Sequence, residues 1–317
     1  MKTYGFVHAE YGDRYRKQSI QMLAQFRRQL TEKGDSVSLV VVDSASTSPE
    51  EAWQSTEFES AFATGGDSSN RDFSGWDKGV AATLARGVQP DIWVFSNDTV
   101  ARNHGWGSQK IAHYARQQSR LHVHTGPWLF GEIHDFPRSL VTPLGPQLEW
   151  VSSYLFAMNE TLRSRLGTLS PGNALLDALM RDRFEPGRGL FGEGVDPAYA
   201  AHMSAWLIER EGETRGKPTY KWYKATWLRS QVRAFIRGKD AYTWYKATPL
   251  TAETFDELRM KARCCISENM LSHRARQLGA DIRSPYDARN GREHVRKSWQ
   301  FVSDKIVEKL ILRRQRS

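Results

Sequence analysis

The sequence predicts an α/β protein in which a mostly parallel sheet is flanked by helices and followed by a basic, mainly helical C-terminal extension. In roughly the first 150 residues, short apolar runs of strand character alternate with segments of helical periodicity, which is typical of a parallel sheet covered by helices. Residues 215–317 contain 24 Lys and Arg against 10 Asp and Glu, whereas the preceding residues contain 21 against 26. We therefore expect one domain over 1–212 and a second region, rich in Trp and Tyr, over 213–317.

Each element of the predicted sheet has a local signal. Apolar and aromatic residues dominate 3–8, which predicts a first strand, and the helix that follows within 13–33 has its apolar residues at helical spacing. Residues 37–42 are rich in β-branched side chains, which favours a second strand ending in a polar turn at Asp43. The remaining elements follow in order: a Ser/Gly/Asp-rich loop at 64–71, a helix near 76–86, a strand at 91–95, a helix near 108–117 and a strand-like run at 121–125.

Helical patterns continue beyond the predicted sheet. Residues 150–210 read as mainly helical around a Gly-rich turn at 187–194. The segment Trp222-Tyr223-Lys224-Ala225-Thr226 recurs at Trp244–Thr248, and we interpret the two copies as related helix-loop elements because no longer period extends them. Residues 298–317 place apolar side chains along one helical stripe and close on basic residues.

Several classes of protein are disfavoured. The chain has no run of about 18 apolar residues, as a membrane-spanning helix requires, and no apolar stretch of signal-peptide length near its start. Its two cysteines, Cys264 and Cys265, are neighbours, and we expect them to be reduced thiols. These features predict a soluble protein of the cytoplasm.

Polar residues follow three of the predicted strands: His8 and Glu10 after the first, Asp43 and Ser44 after the second, and Asn97 and Asp98 after the strand at 91–95. Ligands of open α/β sheets bind beyond the carboxyl ends of the strands. Carboxylate and amide groups there can bind a nucleobase or ribose and hold a divalent cation on a diphosphate. The alternative is structural: Asp43 as a turn residue and Asp98 as a cap on the next helix.

Three segments together resemble a known family. VVVDSAST at 40–47 resembles the second-strand turn of family-two glycosyltransferases, SSNRDFSGWDKGVAATL at 68–84 resembles the helix start that follows it, and DIWVFSNDT at 91–99 resembles the metal-binding strand end. The Phe-Ser-Gly-Trp-Asp segment with the later Asn-Asp-Thr is also similar to rhamnan-synthesis-type bacterial polysaccharide enzymes. The resemblance covers about residues 3–205 and implies a GT-A-like (Rossmann-like) catalytic domain that binds a nucleotide-sugar.

The resemblance implies specific donor contacts. Asp43 would contact the nucleoside, while Asn97 and Asp98 would contact the ribose or the diphosphate through a divalent cation, Mn²⁺ or Mg²⁺, with Asp98 as its protein ligand. Further donor-binding residues are expected along the same edge: His8, Glu10, Ser44, Arg71, Asp72, Trp76 and Asp77. The sequence departs from the family at the metal motif, since Ser-Asn-Asp replaces Asp-x-Asp and leaves one firm carboxylate.

An inverting transferase also needs a general base that takes the proton of the acceptor hydroxyl. The Gly192–Asp196 turn matches the place of this carboxylate in the family, so Glu193 and Asp196 are the candidates, and Asp196 is favoured. Asp196 before Pro197 is also a helix N-cap pattern, and both roles can hold together.

The implied partners are a nucleotide-sugar donor and a glycan or lipid-diphosphate-linked glycan acceptor, as in surface polysaccharide (O-antigen or capsule) synthesis at the inner face of the plasma membrane. The basic C-terminal region is compatible with peripheral contact to an anionic membrane. No nucleic-acid-reading motif is present, so nucleic acid is not expected as a partner. Two alternatives stay open: a nucleic-acid-binding protein that uses the basic, Trp-rich C-terminal third, and a degenerate transferase that binds glycan without catalysis.

Overall fold

The computed structural model describes residues 1–47, 51–52, 57–66, 69–103, 106–209 and 248–286. These residues form an eight-stranded sheet with helices on both faces. The strands are β1 (Thr3–Glu10), β2 (Ser36–Asp43), β3 (Glu51–Ala52), β4 (Ser60–Gly65), β5 (Ile92–Asn97), β6 (Trp128–Thr142), β7 (Gly145–Asn159) and β8 (Asp281–Arg283). The helices are α1 (Arg16–Leu30), α2 (Asp72–Ala85), α3 (Val100–Asn103), α4 (Ser108–Ser119), α5 (Glu160–Leu166), α6 (Asn173–Ala178), α7 (Pro197–Leu207) and α8 (Phe255–Gln277), with short 3-10 turns at Asp13–Tyr15 and Arg120–Val123.

Across the sheet the strand order is β3-β4-β2-β1-β5-β7-β6-β8. The four strands β4, β2, β1 and β5 run parallel, β7 lies antiparallel between β5 and β6, β3 is antiparallel to β4, and β8 is parallel to β6. The predicted α/β class, a mostly parallel sheet flanked by helices, is confirmed. From β1 the chain steps outwards to β2 and β4 and then returns to β5 on the other side of β1, so the strand order reverses between β1 and β5. Ligands of open α/β sheets bind at such a reversal.

The central strands are covered on both faces, which explains their apolar sequences. Every residue of β5 is buried, and β2 is exposed in part only at its two ends. A strand between two layers of helices reads as a continuous apolar run and not as an alternation. The polar residues at the ends of these runs therefore mark where the strands leave the core.

Helices α1 and α4 cover one face of the sheet, and α2, α5 and α8 cover the other. On the second face α2 lies close to β1 because two of its residues lack side chains. A Cβ atom at Gly79 would lie 2.4 Å from Cγ1 of Val7, and one at Gly75 would lie 3.2 Å from Cβ of Ala9. These two glycines set how closely α2 approaches the sheet, and with it the position of its N-terminus.

Two predictions of secondary structure are wrong. Residues 150–159 belong to β7 and not to a helix, and the helix begins at Glu160 with Asn159 as its N-cap. An apolar run of this kind fits a buried strand as well as a helix, and pairing with β5 and β6 decides between them. The strand-like run at 121–125 instead starts with a 3-10 turn, because the chain passes directly from α4 into that turn before β6 begins.

The C-terminal part of the described chain returns to the sheet. Residues 249–285 belong to the same compact unit as residues 1–208, with α8 lying against β6 and β7 and with β8 pairing with β6. A second unit, 209–248 and 286–317, lies almost entirely outside the described residues. The repeat at Trp222 and Trp244 falls there apart from Thr248, as does the terminal amphipathic pattern, so these features and the boundary at 212/213 stay predictions. None of the described helices is long and apolar enough to cross a membrane.

Candidate functional site

The carboxyl ends of β1, β2 and β5 bring the three predicted polar groups to one edge of the sheet. Glu10 pairs in register with Asp43 of β2, and Ala9 pairs with Asn97 of β5. The N–H of Ser44 donates to the carbonyl of Glu10 at 2.8 Å, which draws the turn after β2 towards β1. The three strand ends therefore lie side by side where the strand order reverses.

Arg16, the first residue of α1, joins two of these ends. Its guanidinium donates to Oε1 of Glu10, with Nε at 2.5 Å, and lies 3.5 Å from Oδ2 of Asp43. The other oxygen of Asp43 accepts from the backbone N–H groups of Gly12 and Ala45, both at 2.9 Å. Asp43 thus has the structural contacts of a turn residue while its side chain stays partly exposed. Arg16 is not among the site residues predicted from the sequence, although a basic residue at the start of the helix that follows β1 could have indicated it.

His8 and Glu10 are buried below this edge. Nδ1 of His8 lies 2.9 Å from Oγ of Ser96, and its Nε2 lies 3.7 Å from Oε2 of Glu10. Burial lowers the pKa of His8 to about 3, and the charge of Arg16 adds to the effect, so the imidazole is neutral. Burial raises the pKa of Glu10 to about 7, against the lowering influence of Arg16. With exposures of 0% and 2%, these two side chains position Arg16 and Ser96 and do not meet solvent themselves.

The start of α2 meets the end of β5. Nδ2 of Asn97 donates to Oδ2 of Asp72 at 3.0 Å, and Oδ1 of Asn97 accepts from the N–H and hydroxyl groups of Thr99. Burial raises the pKa of Asp72 to about 6, and the charge of Asp98 adds to this rise. Asp98 is itself partly exposed. The fold therefore joins two motifs that lie 25 residues apart in the chain.

Arg71 precedes α2 in a strained turn. Its φ is 47° and its ψ is −126°, and the turn closes with a 3.1 Å backbone hydrogen bond to the carbonyl of Asn70, which is the pattern of a type II′ turn. Glycine is the residue that this turn position favours. Asn70 anchors the turn, because its Nδ2 donates to Oγ of Ser170 at 2.9 Å and to Oγ of Ser267 at 2.8 Å. The positive charge of Arg71 lowers the pKa of the neighbouring Asp72 carboxyl.

Two other predicted donor residues point away from the edge. Trp76 is fully buried, and its Nε1 donates to the carbonyl of Ser96 at 2.9 Å. The carboxylate oxygens of Asp77 accept from the backbone N–H groups of Leu169 at 2.6 Å and Ser170 at 3.0 Å. Trp76 therefore supports the end of β5 from behind, and Asp77 fixes the loop after α5.

The two predicted bases lie around the N-terminus of α7. Oδ1 of Asp196 accepts from the N–H groups of Ala198 and Tyr199, both at 3.0 Å, so Asp196 is the N-cap of this helix. Glu193 is exposed in the preceding turn, which a backbone hydrogen bond from Gly192 fastens to the end of α6. These contacts assign Asp196 a structural role, and a role as base for either carboxylate stays a prediction.

The acidic groups at the edge fit a cation that is shared with a phosphate. Within the described ranges, no three His, Cys, Asp or Glu side chains converge as a metal site built from protein ligands alone would need. Mg²⁺ bound with a nucleotide usually takes one or two carboxylates and completes its shell with phosphate oxygens and water. Asp98, partly exposed and next to the Asn97–Asp72 pair, offers such a carboxylate.

Comparison with known proteins gives little beyond this geometry. No protein-family model matches the chain, and no curated protein sequence matches it. Among solved structures, a mannosyltransferase from Pyrobaculum calidifontis in complex with GDP-Man and Mn²⁺ is similar, with 12% sequence identity and a TM-score of 0.32 over 87% of this chain and 73% of that chain. Likeness at this level of identity and TM-score defines neither a family nor an activity.

Proposed function

We propose that the protein is a glycosyltransferase, which moves the sugar of a nucleoside-diphosphate sugar to a hydroxyl of a glycan or lipid-linked glycan. The observation that carries this proposal is the meeting of four residues at the edge where the strand order reverses: Asp43, Asp72, Asn97 and Asp98. They come from the three segments that resemble family-two and rhamnan-synthesis-type transferases. A site of this composition suits a ligand with a polar base, a ribose and a charged diphosphate.

The donor would lie along this edge from β2 to β5. Arg16 and the exposed side of Asp43 would bind the nucleoside part, while Arg71 and the first N–H groups of α2 would face the diphosphate. The N-terminus of a helix attracts anions because its first N–H groups lack partners within the helix. Four other side chains of the predicted site would hold these groups in place without touching the donor: the buried His8, Glu10 and Trp76, and the half-buried Asp77.

A divalent cation, Mn²⁺ or Mg²⁺, would be held by Asp98, the neighbour of Asn97 in the chain. When bound, this cation would offset the charge that grows on the leaving diphosphate as the glycosidic bond to it breaks. Asp72 contributes by fixing the amide of Asn97 through the 3.0 Å hydrogen bond. The attacking hydroxyl also needs a proton acceptor, and the resemblance assigns that role to Asp196 or Glu193, with inversion at the anomeric carbon.

The charge of the C-terminal segments favours an anionic acceptor. Residues 210–247 and 287–317 contain 19 Lys and Arg against 7 Asp and Glu. Segments of this composition attract anionic partners, and a lipid-diphosphate-linked glycan presents phosphate at an anionic membrane surface. We therefore propose a role in surface polysaccharide synthesis at the cytoplasmic face of the membrane.

The two alternative functions predict different results for binding and for turnover. A nucleic-acid-binding protein would use the basic segments, and its affinity would fall steeply with salt whatever residue stands at position 98. A degenerate transferase would bind a nucleotide or a glycan and would never release free nucleoside diphosphate. Binding and turnover therefore need to be measured separately.

The testing experiment is a thermal-shift screen of nucleoside diphosphates and nucleotide-sugars, each with Mn²⁺, Mg²⁺ or EDTA. We expect one nucleotide to raise the melting temperature selectively and in the presence of a divalent cation. A ligand that binds only the folded state stabilises it by about 2.7 kcal/mol at a hundredfold excess over its Kd. Asp98→Ala should lose the cation-dependent part of this shift, because it removes the proposed metal ligand.

Glu59→Ala is the control, since Glu59 is exposed at the amino end of β4, on the opposite edge of the sheet from the candidate site. It should keep the full shift. No shift with any nucleotide well above millimolar concentration would contradict the proposal. An Asp98→Ala variant with the full cation-dependent shift would contradict the metal role alone.

A further inference from the structure

Glu268, on α8, reaches the same edge of the sheet as Asp98. Strands β5 and β7 are antiparallel, and Ser96 pairs with Leu155. Ser153 lies two residues before Leu155 on β7, so it lies beyond this pair on the side of the turn after β5, which carries Asp98. The N–H of Ser153 donates to Oε1 of Glu268 at 2.6 Å. A carboxylate from the C-terminal part of the described chain is therefore held beside the end of β5.

A second contact ties this part of α8 to the start of α2. Oγ of Ser267, the neighbour of Glu268, accepts from Nδ2 of Asn70 at 2.8 Å. Asn70 lies two residues before Asp72, and both helices cover the same face of the sheet. Glu268 is thus fixed near two parts of the proposed donor site, the end of β5 and the start of α2.

Glu268 lies among side chains that are largely buried but still partly exposed to solvent. Cys264 and Cys265, about one turn earlier on α8, are partly exposed, as is Glu268 itself. Burial raises the pKa of both thiols, so they are neutral. Burial also raises the pKa of Glu268 to about 7; hydrogen bonds from two serines of β7 oppose this, and the charge of Asp72 adds to it.

The hydrogen bond from the N–H of Ser153 does not by itself require a carboxylate at this position. A glutamine could accept the same hydrogen bond from Ser153 and would avoid the desolvation that an ionised side chain meets there. The two carboxylates predicted as bases are placed less favourably, since Asp196 caps α7 and Glu193 is exposed in a turn.

We propose that Glu268 is the base that takes the proton of the acceptor hydroxyl, in place of Glu193 and Asp196. This inference rests on the proposed function and names a residue of the same site. Its basis is geometric: a carboxylate bound to β7 beyond the last pair with β5, tied through Ser267 to the segment before α2, and partly exposed to solvent.

The step balances with the donor and acceptor already named. The O–H bond of the acceptor breaks, and its proton passes to a carboxylate oxygen of Glu268. The hydroxyl oxygen forms a bond to the anomeric carbon as the bond from that carbon to the diphosphate breaks, and the electron pair of that bond leaves with the nucleoside diphosphate. Glu268 then returns its proton to solvent. A carboxylate whose pKa lies near neutrality suits both parts of this cycle.

Glu268→Gln in the full chain tests the inference. The probe is the nucleotide-sugar that gives the largest thermal shift, with an octyl glycoside as acceptor and release of nucleoside diphosphate as the readout. We expect kcat to fall by at least about 100-fold, as for loss of a general base, while the Kd of the nucleotide stays within about threefold. Asp256→Asn, an exposed carboxylate in the first turn of the same helix, is the matched control and should keep kcat.

A pH profile separates a base from a structural group. In the wild type kcat should rise with pH through an apparent pKa near 7, and Glu268→Gln should lose that rise. Glu268→Asp keeps a carboxylate on a shorter side chain, so it should keep the rise at a lower kcat; it also serves if the glutamine variant does not fold. The inference is wrong if Glu268→Gln keeps the pH-dependent rise, or if the large loss of kcat falls on Asp196→Asn or Glu193→Gln while Glu268→Gln stays active.

Failure of the proposed function has a different signature. The wild type would then show neither a nucleotide-dependent thermal shift nor release of nucleoside diphosphate, and Glu268 would have no acceptor proton to take. An active wild type beside an equally active Glu268→Gln overturns only the assignment of the base.

Discussion

Arg71 combines strain with a place at the candidate site. Its φ of 47° is the one positive value among the described residues other than glycine. Holding such a residue in this region costs about 1–3 kcal/mol. The turn persists because Asn70 is hydrogen-bonded to Ser170 and Ser267, and it leaves a guanidinium near Asp72. At position 71 the backbone conformation favours glycine, whereas the proposed contact with the diphosphate favours a basic side chain.

Two substitutions of Arg71 separate these effects. Arg71→Ala keeps the backbone strain and loses the cation, whereas Arg71→Gly loses both. We therefore expect the glycine variant to be more stable than the alanine variant by about 1 kcal/mol in urea unfolding. Both variants should bind the nucleotide at least about tenfold more weakly than wild type, because a hydrogen bond to a charged group contributes about 1.5–3 kcal/mol. Wild-type affinity in both variants would remove Arg71 from the donor site, whereas a glycine variant less stable than the alanine variant would contradict the strain at position 71.

Helix α2 connects the sheet to the candidate site. Its first residue, Asp72, is bound to Asn97 at the end of β5, and its glycines lie against β1. Glycine in a helix interior costs about 1 kcal/mol relative to alanine. Glycine is nevertheless required at positions 75 and 79 because the helix lies so close to β1. The position of the candidate site therefore depends on these two glycines.

Gly79→Ala tests this dependence. The added Cβ would lie 2.4 Å from Cγ1 of Val7, and overpacking of this kind costs about 1–3 kcal/mol, more than the better helix propensity of alanine returns. We expect a lower free energy of unfolding in urea and weaker nucleotide binding, since α2 must shift. Ala81→Gly, on the exposed side of the same helix, should lose about 1 kcal/mol and keep its affinity. Unchanged stability of Gly79→Ala would mean that α2 has room to move.

The sequence predicts those elements whose signals are local. β1, β2 and β5 are buried runs bounded by polar turns, so the residue pattern alone is enough to place Asp43 and Asn97 at strand ends. Local patterns do not show which side of α2 faces the core, and Trp76 therefore looks like a ligand residue although it is buried. The place of Glu268 depends on a contact between α8 and β7 across 115 residues, which no local pattern encodes.

Two sets of titratable groups act on the stability of the fold with opposite signs. Burial raises the pKa of Glu10, Asp72 and Glu268, so the folded protein keeps protons that the unfolded chain releases, and their contribution to stability falls as pH rises from about 4.5 to 7. Burial lowers the pKa of His8 to about 3 and that of His122 to about 4. The unfolded chain therefore binds more protons at these histidines below about pH 6.5, and their contribution rises with pH. The two trends oppose each other over most of the acidic range.

Glu10→Gln tests the first of these trends, in which buried carboxyl groups lower the stability as pH rises. Glutamine cannot ionise, so the variant should gain stability relative to wild type as pH rises from about 4.5 to 7, by about 3 kcal/mol at most, and level off above. Urea unfolding of both proteins at about pH 5, 6, 7 and 8 measures this difference, and Glu59→Gln, exposed at the opposite edge, should not show the trend. A difference that stays constant with pH would mean that Arg16 keeps Glu10 ionised throughout. The end of β1 would then hold a permanent ion pair, and a nucleotide that binds Arg16 would have to compete with a full carboxylate charge.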